Sequence, residues 1–310
     1  MSRVIVFGSI NVDLVAEVAR LPSPGETIKT DSYVALPGGK GANQALAAAR
    51  NGAATHVVGA VGLDGQAPTA LAQLRSDGVG LAAVAEVEGA SGLAMIAVDA
   101  GGENQIIVVS GANASAAATQ LPPMVPGDWL VTQNEVDWPQ TAQAHRLARE
   151  HGAGVIHNTA PAHGLSGAEL ARIDVLVANE HELAQAAASA AETGAHAQAR
   201  SLLASGVGAV VLTLGARGSA LYTGAEEATA IPAAPAKVRD TTGAGDAFVG
   251  ALAAALAADQ SLPEAVALAN RYAARVCEVL GAQTPVDQVS SLRKVASLPS
   301  STSVVSPVEK

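Results

Sequence analysis

The chain has 310 residues, 49% of them apolar, and carries 28 acidic against 18 basic side chains for a net charge of −10. That length supports one large α/β domain or a large domain with a small appendage, and the acidic balance without clustered Lys and Arg excludes nucleic acid and anionic membrane surfaces as partners. An anionic ligand therefore has to be held locally, by backbone amides, a metal or a few placed cations.

The chain runs from "MSR" straight into "VIVFGS", with no apolar leader segment or small-residue cleavage site, so no secretory address is expected. Alanine-rich stretches such as "ALAAALAA" fall short of the roughly 20 residues that span a bilayer, and no membrane span is expected. The single cysteine, Cys277, excludes an intrachain disulfide and suits a reducing cytoplasm. Within "RYAARVCEVL" it reads as a buried small hydrophobe, not a nucleophile.

In chain order, β-branched runs at 4–8, 55–62, 129–133, 154–159, 175–179 and 209–215 read as strands, several apolar enough to be buried on both faces. Alanine-rich helical segments lie between them at 41–52, 67–78, 138–152 and 196–206, and each ends in glycine, a common helix stop. This alternation predicts an α/β fold, a doubly wound and mainly parallel sheet flanked by helices.

Two stretches, 12–36 and 90–110, break the pattern with strand-like segments joined by Pro/Gly-rich or Gly-rich turns. They form either a small β-sheet lid or a pair of surface hairpins. On the lid reading, 1–11, 37–89 and 111–290 make the large domain. The Ser-rich residues 291–310 read as a flexible tail. No fixed-period repeat is present, which disfavours a solenoid or propeller.

Three segments have the composition of ligand loops. In "TGAGDAFVGALAAALAA" a helix is expected to start near Gly245 or Asp246. Its free N–H groups and positive dipole end make Gly243, Ala244 and Gly245 a candidate anion cradle; the alternative is a tight turn with Asp246 as a capping carboxylate. "LPGGKGANQALAAAR" also enters a helix, with Gly38, Gly39 and Gly41 permitting close approach and Lys40 and Asn43 suited to hydroxyl ligands. Its alternative is a flexible turn with a solvated lysine. In "GSINVDL", Asn11 and Asp13 stand at alternate positions and project to one side, as turn residues or as ligands. The dinucleotide pattern fails at Phe248, and the Walker pattern fails at Val34 and Gly41.

In this order, "GSINVDL", "PGGKGANQA" and "DTTGAGDAF" resemble the ribokinase-like (phosphofructokinase-B-type) carbohydrate kinases, over nearly the whole chain up to Asp287. "VANEHEL" is similar to the family's N-x-x-E segment, "LTLGARG" to its nucleotide loop, and "GAQTPV" to the segment after the last helix. The resemblance implies a large α/β domain with a small β lid, and ATP-dependent phosphorylation of a primary sugar hydroxyl, with O5 of D-ribose first among the acceptors. Deoxyribose, fructose or a nucleoside is the alternative acceptor, and a non-catalytic sugar- or nucleotide-binding regulator is the alternative from another class. Retention of Asp246 between the expected glycines speaks against the regulator.

By the same resemblance Asn11, Asp13, Gly39, Lys40, Asn43 and Glu135 contact the sugar, though Glu135 also reads as a surface carboxylate after a strand. Asp246 is the implied base, beside an anion hole of Gly243, Ala244 and Gly245. Asn179, Thr213, Gly215, Gly218, Gly245 and Asn270 are implied at ATP, and Asn179 with Glu182 also in the outer shell of Mg2+. A K+ site is implied at Asp240, Thr242, Val276, Val279, Gly281 and Pro285, where proline replaces a common serine. A homodimer formed through the lid, in the cytoplasm, completes the expectation.

Overall fold

The computed structural model describes residues 2–187, 194–224 and 227–283. Pro285 and the expected tail at 291–310 lie outside the described residues. The first strand, β1 (Arg3–Phe7), is followed by β2 (Asn11–Val18), β3 (Val34–Gly38), α1 (Lys40–Arg50) and β4 (Ala54–Gly62). Two short helices, α2 (Ala67–Ala70) and α3 (Ala72–Ser76), lead to β5 (Gly80–Val87), β6 (Gly92–Asp99) and β7 (Asn104–Val109). An alternating series then runs β8 (Trp129–Thr132), α4 (Trp138–Glu150), β9 (Gly154–Asn158), α5 (Gly167–Leu170), β10 (Val175–Asn179), α6 (Glu180–Ala186), α7 (Ala195–Ala204) and β11 (Ala209–Thr213). The edge strands β12 (Ser219–Tyr222) and β13 (Thr229–Ile231) precede α8 (Ala244–Ala257) and α9 (Leu262–Val276).

The large sheet has the order β13-β12-β11-β10-β9-β8-β1-β4-β5. From β11 to β5 every pairing is parallel, while β12 and β13 add an antiparallel edge. Side chains alternate across a strand, so β1 feeds two cores. Val4 and Val6 pack on the face covered by α1, α8 and α9, whereas Ile5 and Phe7 join the core beneath α4 and α7. The expected doubly wound, mainly parallel architecture is therefore present.

The two interruptions form one sheet, not separate hairpins. Its order is β3-β2-β6-β7, with β2 and β6 parallel along eight residue pairs from Asn11↔Gly92 to Val18↔Asp99. Expected and observed elements differ at several places. The helix expected over 67–78 is divided at Leu71. The Ala-rich β5 and the short β12 carry too little β-branched character to stand out, and β13 is only three residues long. Cys277 caps the end of α9 and is half-buried, because the helix stops before its apolar face covers that position. Among the described residues no helix is long and apolar enough to cross a membrane.

Candidate active site

The strand order reverses around β1: the chain moves outward to β4 and β5 on one side and from β8 to β11 on the other. Such a switch point opens a crevice beyond the carboxyl ends of the strands. The segments that follow β1 and β8 deliver Ser9 and Glu135 to this end, and the last residues of β9, β10 and β11 place Asn158, Asn179 and Thr213 there.

Asn11 and Asp13 lie at the start of β2, where the small sheet leaves the body. Asn11 is buried, and its Oδ1 accepts from Nδ2 of Asn113 at 2.7 Å. A Cβ at Gly38 would lie 2.2 Å from both carboxylate oxygens of Asp13, so only glycine allows that carboxylate against the neighbouring strand. Gly39 precedes α1 with φ +90, and the main-chain N–H of Lys40 donates to Oε2 of Glu135 at 3.1 Å. Ser9 Oγ donates to the same oxygen at 2.5 Å, so Glu135 turns inward and ties β1 to the start of α1.

Burial pushes the Asp13 carboxyl up to about 6, the charges of Glu135 and Asp246 act in the same direction, and Lys40 opposes them. The Lys40 ammonium is held above the usual lysine range first by Asp246; burial works against this, and Glu135, Glu182 and Asp13 add to it. One cation thus stands among four carboxylates at the joint between the two sheets.

Asp246 sits in the first turn of α8 and is buried. Gly243 begins that helix in the left-handed region at φ +75, and a Cβ there would meet Ala282 at 2.6 Å. Four residues beyond Asp246, a Cβ on Gly250 would lie 2.3 Å from the main-chain oxygen of Gln44, so α8 passes unusually close to α1. The consequence is direct contact between α1 amides and the carboxylate. Asn43 Nδ2 donates to Asp246 Oδ2 and Gln44 Nε2 to Oδ1, each at 2.9 Å. Asn43 Oδ1 in turn accepts from Gln283 at 2.9 Å, so its amide is directed at Asp246 and Gln283 more than at open space.

Beside Asp246 opens a cleft of about 150 Å³ whose walls include Lys40, Asn158, Asn179, Glu182, Thr213 and Gly245. Asn179 and Glu182 form a reciprocal cap on α6, with Asn179 Oδ1 accepting from Glu182 N at 2.8 Å and Glu182 Oε2 accepting from Asn179 N at 2.9 Å. Both the capping and the rim position belong to the same pair. Gly215 and Gly218 bound the turn between β11 and β12, outside that cleft. Asn270 also lies outside it, buried on α9, where its Nδ2 donates to Ser219 Oγ at 2.9 Å and to the carbonyl of Ile231 at 3.1 Å.

The Asp240 carboxylate accepts from the N–H of Thr242 and of Gly281, both at 2.8 Å, and the Cys277 carbonyl accepts from Arg239 N at 2.8 Å. Burial would raise the Asp240 carboxyl, but these hydrogen bonds outweigh it and hold the group below its ordinary value. The loop before α8 and the segment after α9 are thereby joined, with Asp240 in contact with both Cys277 and Gly281. Among the described residues no three His, Cys, Asp or Glu side chains form a group that could hold a metal.

Gln44, Gln133, Asn158, Ser9 and Gln283 had no place in the motif reading. A usable signal exists for two of them, since Gln133 and Asn158 are polar residues at the carboxyl ends of mainly apolar runs, Gln133 just after β8 and Asn158 as the last residue of β9.

The pattern of the pfkB family carbohydrate kinases matches residues 1–289. The chain belongs to this family. It is 36% identical to the ribokinase of Schizosaccharomyces pombe, over 92% of this chain and 95% of that protein. It is also 36% identical to the bifunctional ribokinase/ribose-5-phosphate isomerase A of Fructilactobacillus sanfranciscensis, covering 92% of this chain and 54% of that protein. Among solved structures, the Arabidopsis thaliana ribokinase complexed with ribose and ATP superposes with a TM-score of 0.82 at 31% identity, over 95% of this chain and 99% of that one. In this carbohydrate kinase the crevice described above is thus the candidate active site.

Proposed function

We propose that the protein is an ATP-dependent ribokinase that phosphorylates O5 of D-ribose with Asp246 as the base. The observation that carries this reading is the placement of Asp246: a buried carboxylate at a helix N-terminus, within electrostatic reach of Asp13 and on the wall of the cleft that Lys40, Asn179 and Thr213 also line. Ribose, and not merely a sugar, is favoured by the relatives just described.

Asn11, Asp13, Gly39, Lys40, Asn43 and Glu135 surround the sugar. Asp13 accepts hydrogen bonds from vicinal hydroxyls when ionised, and the small sheet, residues 12–36 and 90–110, closes over them as a lid. Asp246 takes the O5 proton as the O5–Pγ bond forms and the bond from Pγ to the bridging β,γ-oxygen breaks, which leaves ribose 5-phosphate and ADP. The N–H groups of Gly243, Ala244 and Gly245 stabilise charge on the transferring group, as helix N-termini do for anions. Thr213, Gly215 and Gly218 line the nucleotide site, with Asn270 toward the base end.

The oxygen donors Asn179 and Glu182 fit a hard divalent ion such as Mg2+ held mainly through phosphate and water. When bound, that ion neutralises phosphate charge. Asp240, Thr242 and the main-chain oxygens of Val276, Val279 and Gly281 fit a larger monovalent ion such as K+, an all-oxygen set on two joined segments. Ile106, Ile107, Val108 and Val109 leave β7 with an exposed apolar surface, which supports a homodimer through the lids. The lone thiol suits the reducing cytoplasm.

The test is ADP release with Mg–ATP across ribose, deoxyribose, fructose and nucleosides, with and without K+. Ribose is expected to give the highest kcat/KM. Sugar-independent ADP release, or preference for another acceptor, rejects this assignment.

A further inference from the structure

Asp246 receives one side-chain amide on each oxygen, and the amide at Oδ1 has its polarity set from outside. Asn158 Nδ2 donates to the main-chain carbonyl of Val177 at 3.2 Å, which leaves Asn158 Oδ1 facing Gln44. Gln44 Nε2 donates to that oxygen at 3.1 Å as well as to Asp246 Oδ1 at 2.9 Å. On its other side Gln44 Oε1 accepts from Gln133 Nε2 at 2.6 Å. Gln44 and Gln133 are fully buried, so neither amide has water as an alternative partner.

A flipped Gln44 amide sets its oxygen against two acceptors, Asn158 Oδ1 and Asp246 Oδ1, and its NH2 against the NH2 of Gln133. A main-chain carbonyl cannot flip. The direction of the whole chain therefore follows from Val177 in the sheet and ends on the carboxylate in α8.

We propose that Gln44 is a positioning residue for phosphoryl transfer, one that fixes the Asp246 carboxylate in the orientation that meets the acceptor hydroxyl. This rests on Asp246 being the base. Gln44 reaches the reacting atoms only through Asp246, so its effect belongs to the transition state more than to the binding of either substrate.

The experiment compares Gln44→Met, Gln133→Met, Asp246→Asn and the double variant Gln44→Met/Asp246→Asn in steady-state kinetics and thermal unfolding. Methionine keeps the length of glutamine and removes its amide. Gln44→Met is expected to lower kcat about 10- to 100-fold with both KM values within about threefold. Gln133→Met, which leaves the polarity of Gln44 set by Asn158 but removes the contact that holds its Oε1, is expected to give a smaller loss of the same kind. In the Asp246→Asn background, Gln44→Met is expected to add no further loss. An unchanged kcat in Gln44→Met, or the same fold-loss in both backgrounds, overturns the proposal while leaving the base intact. Full turnover in Asp246→Asn removes the base reading and this proposal together. If Gln44→Met does not fold, Gln133→Met decides, and an unchanged kcat there is the overturning result.

Discussion

Asp13 is the residue at which charge, burial and the proposed sugar contact meet. Its carboxyl is held at about 6 in the folded chain against 3.8 ordinarily, first by burial. The native state therefore keeps its proton to higher pH than the unfolded chain does. Below about pH 4 both states are protonated and nothing is lost; as pH rises through 6 the fold is destabilised by up to roughly 3 kcal/mol. Asp13→Asn should then unfold at a higher temperature than the parent at pH 7, with the gap closing at pH 4. A gap that widens toward low pH contradicts the assignment. On the proposed reading the ionised group accepts the sugar hydroxyls, so KM for ribose is expected to rise as pH falls through about 6. Lys40 lowers the Asp13 carboxyl, and Lys40→Met should move that acidic limb to higher pH. Legibility in the sequence divides along the same line. Asn11, Asp13, Lys40 and Asp246 stood out because glycines and a helix start flank them, whereas Gln44 and Gln133 act through partners that no local pattern names.

At the scale of elements, the contact between α1 and α8 carries the site. Glycine at 250 lets the two helices approach until a main-chain oxygen of α1 lies where a side chain would begin. Gly250→Ala should push α8 outward, cost about 1–3 kcal/mol in a urea titration and lower kcat with it. A variant of parental stability and turnover shows that the close approach is dispensable. Both helices and six of the strands could be read from the sequence, because the helices are rich in alanine and open on glycine-rich loops while the strands are short β-branched runs. The separation between them could not. It depends on Gly250 meeting Gln44, a contact between segments more than two hundred positions apart in "GGKGANQA" and "GAGDAFVG". The Ala-rich β5 was missed for a different reason: its side chains signal helix, and only pairing with β4 makes it a strand.

For the whole molecule, the small sheet carries the exposed apolar face on which the proposed dimer rests. Ile107 is 62% exposed and Ile106 52%, and as neighbours on β7 they point to opposite faces. Replacing both with lysine should convert a dimer to a monomer in light scattering and raise KM for ribose. A parental chain that is already monomeric at micromolar concentration removes the dimer reading. The sheet is also anchored at one end alone. Asn11 pairs with Gly38 on one side and Gly92 on the other, at the joint with the body, while Val18 and Asp99 lie at the far end. Amide hydrogen exchange should therefore follow a gradient: slow at the joint, progressively faster toward the far end, and fast along β7, whose residues are all exposed. Sugar binding at the joint would slow exchange there first, so the labelling pattern would report occupancy of the site without any turnover.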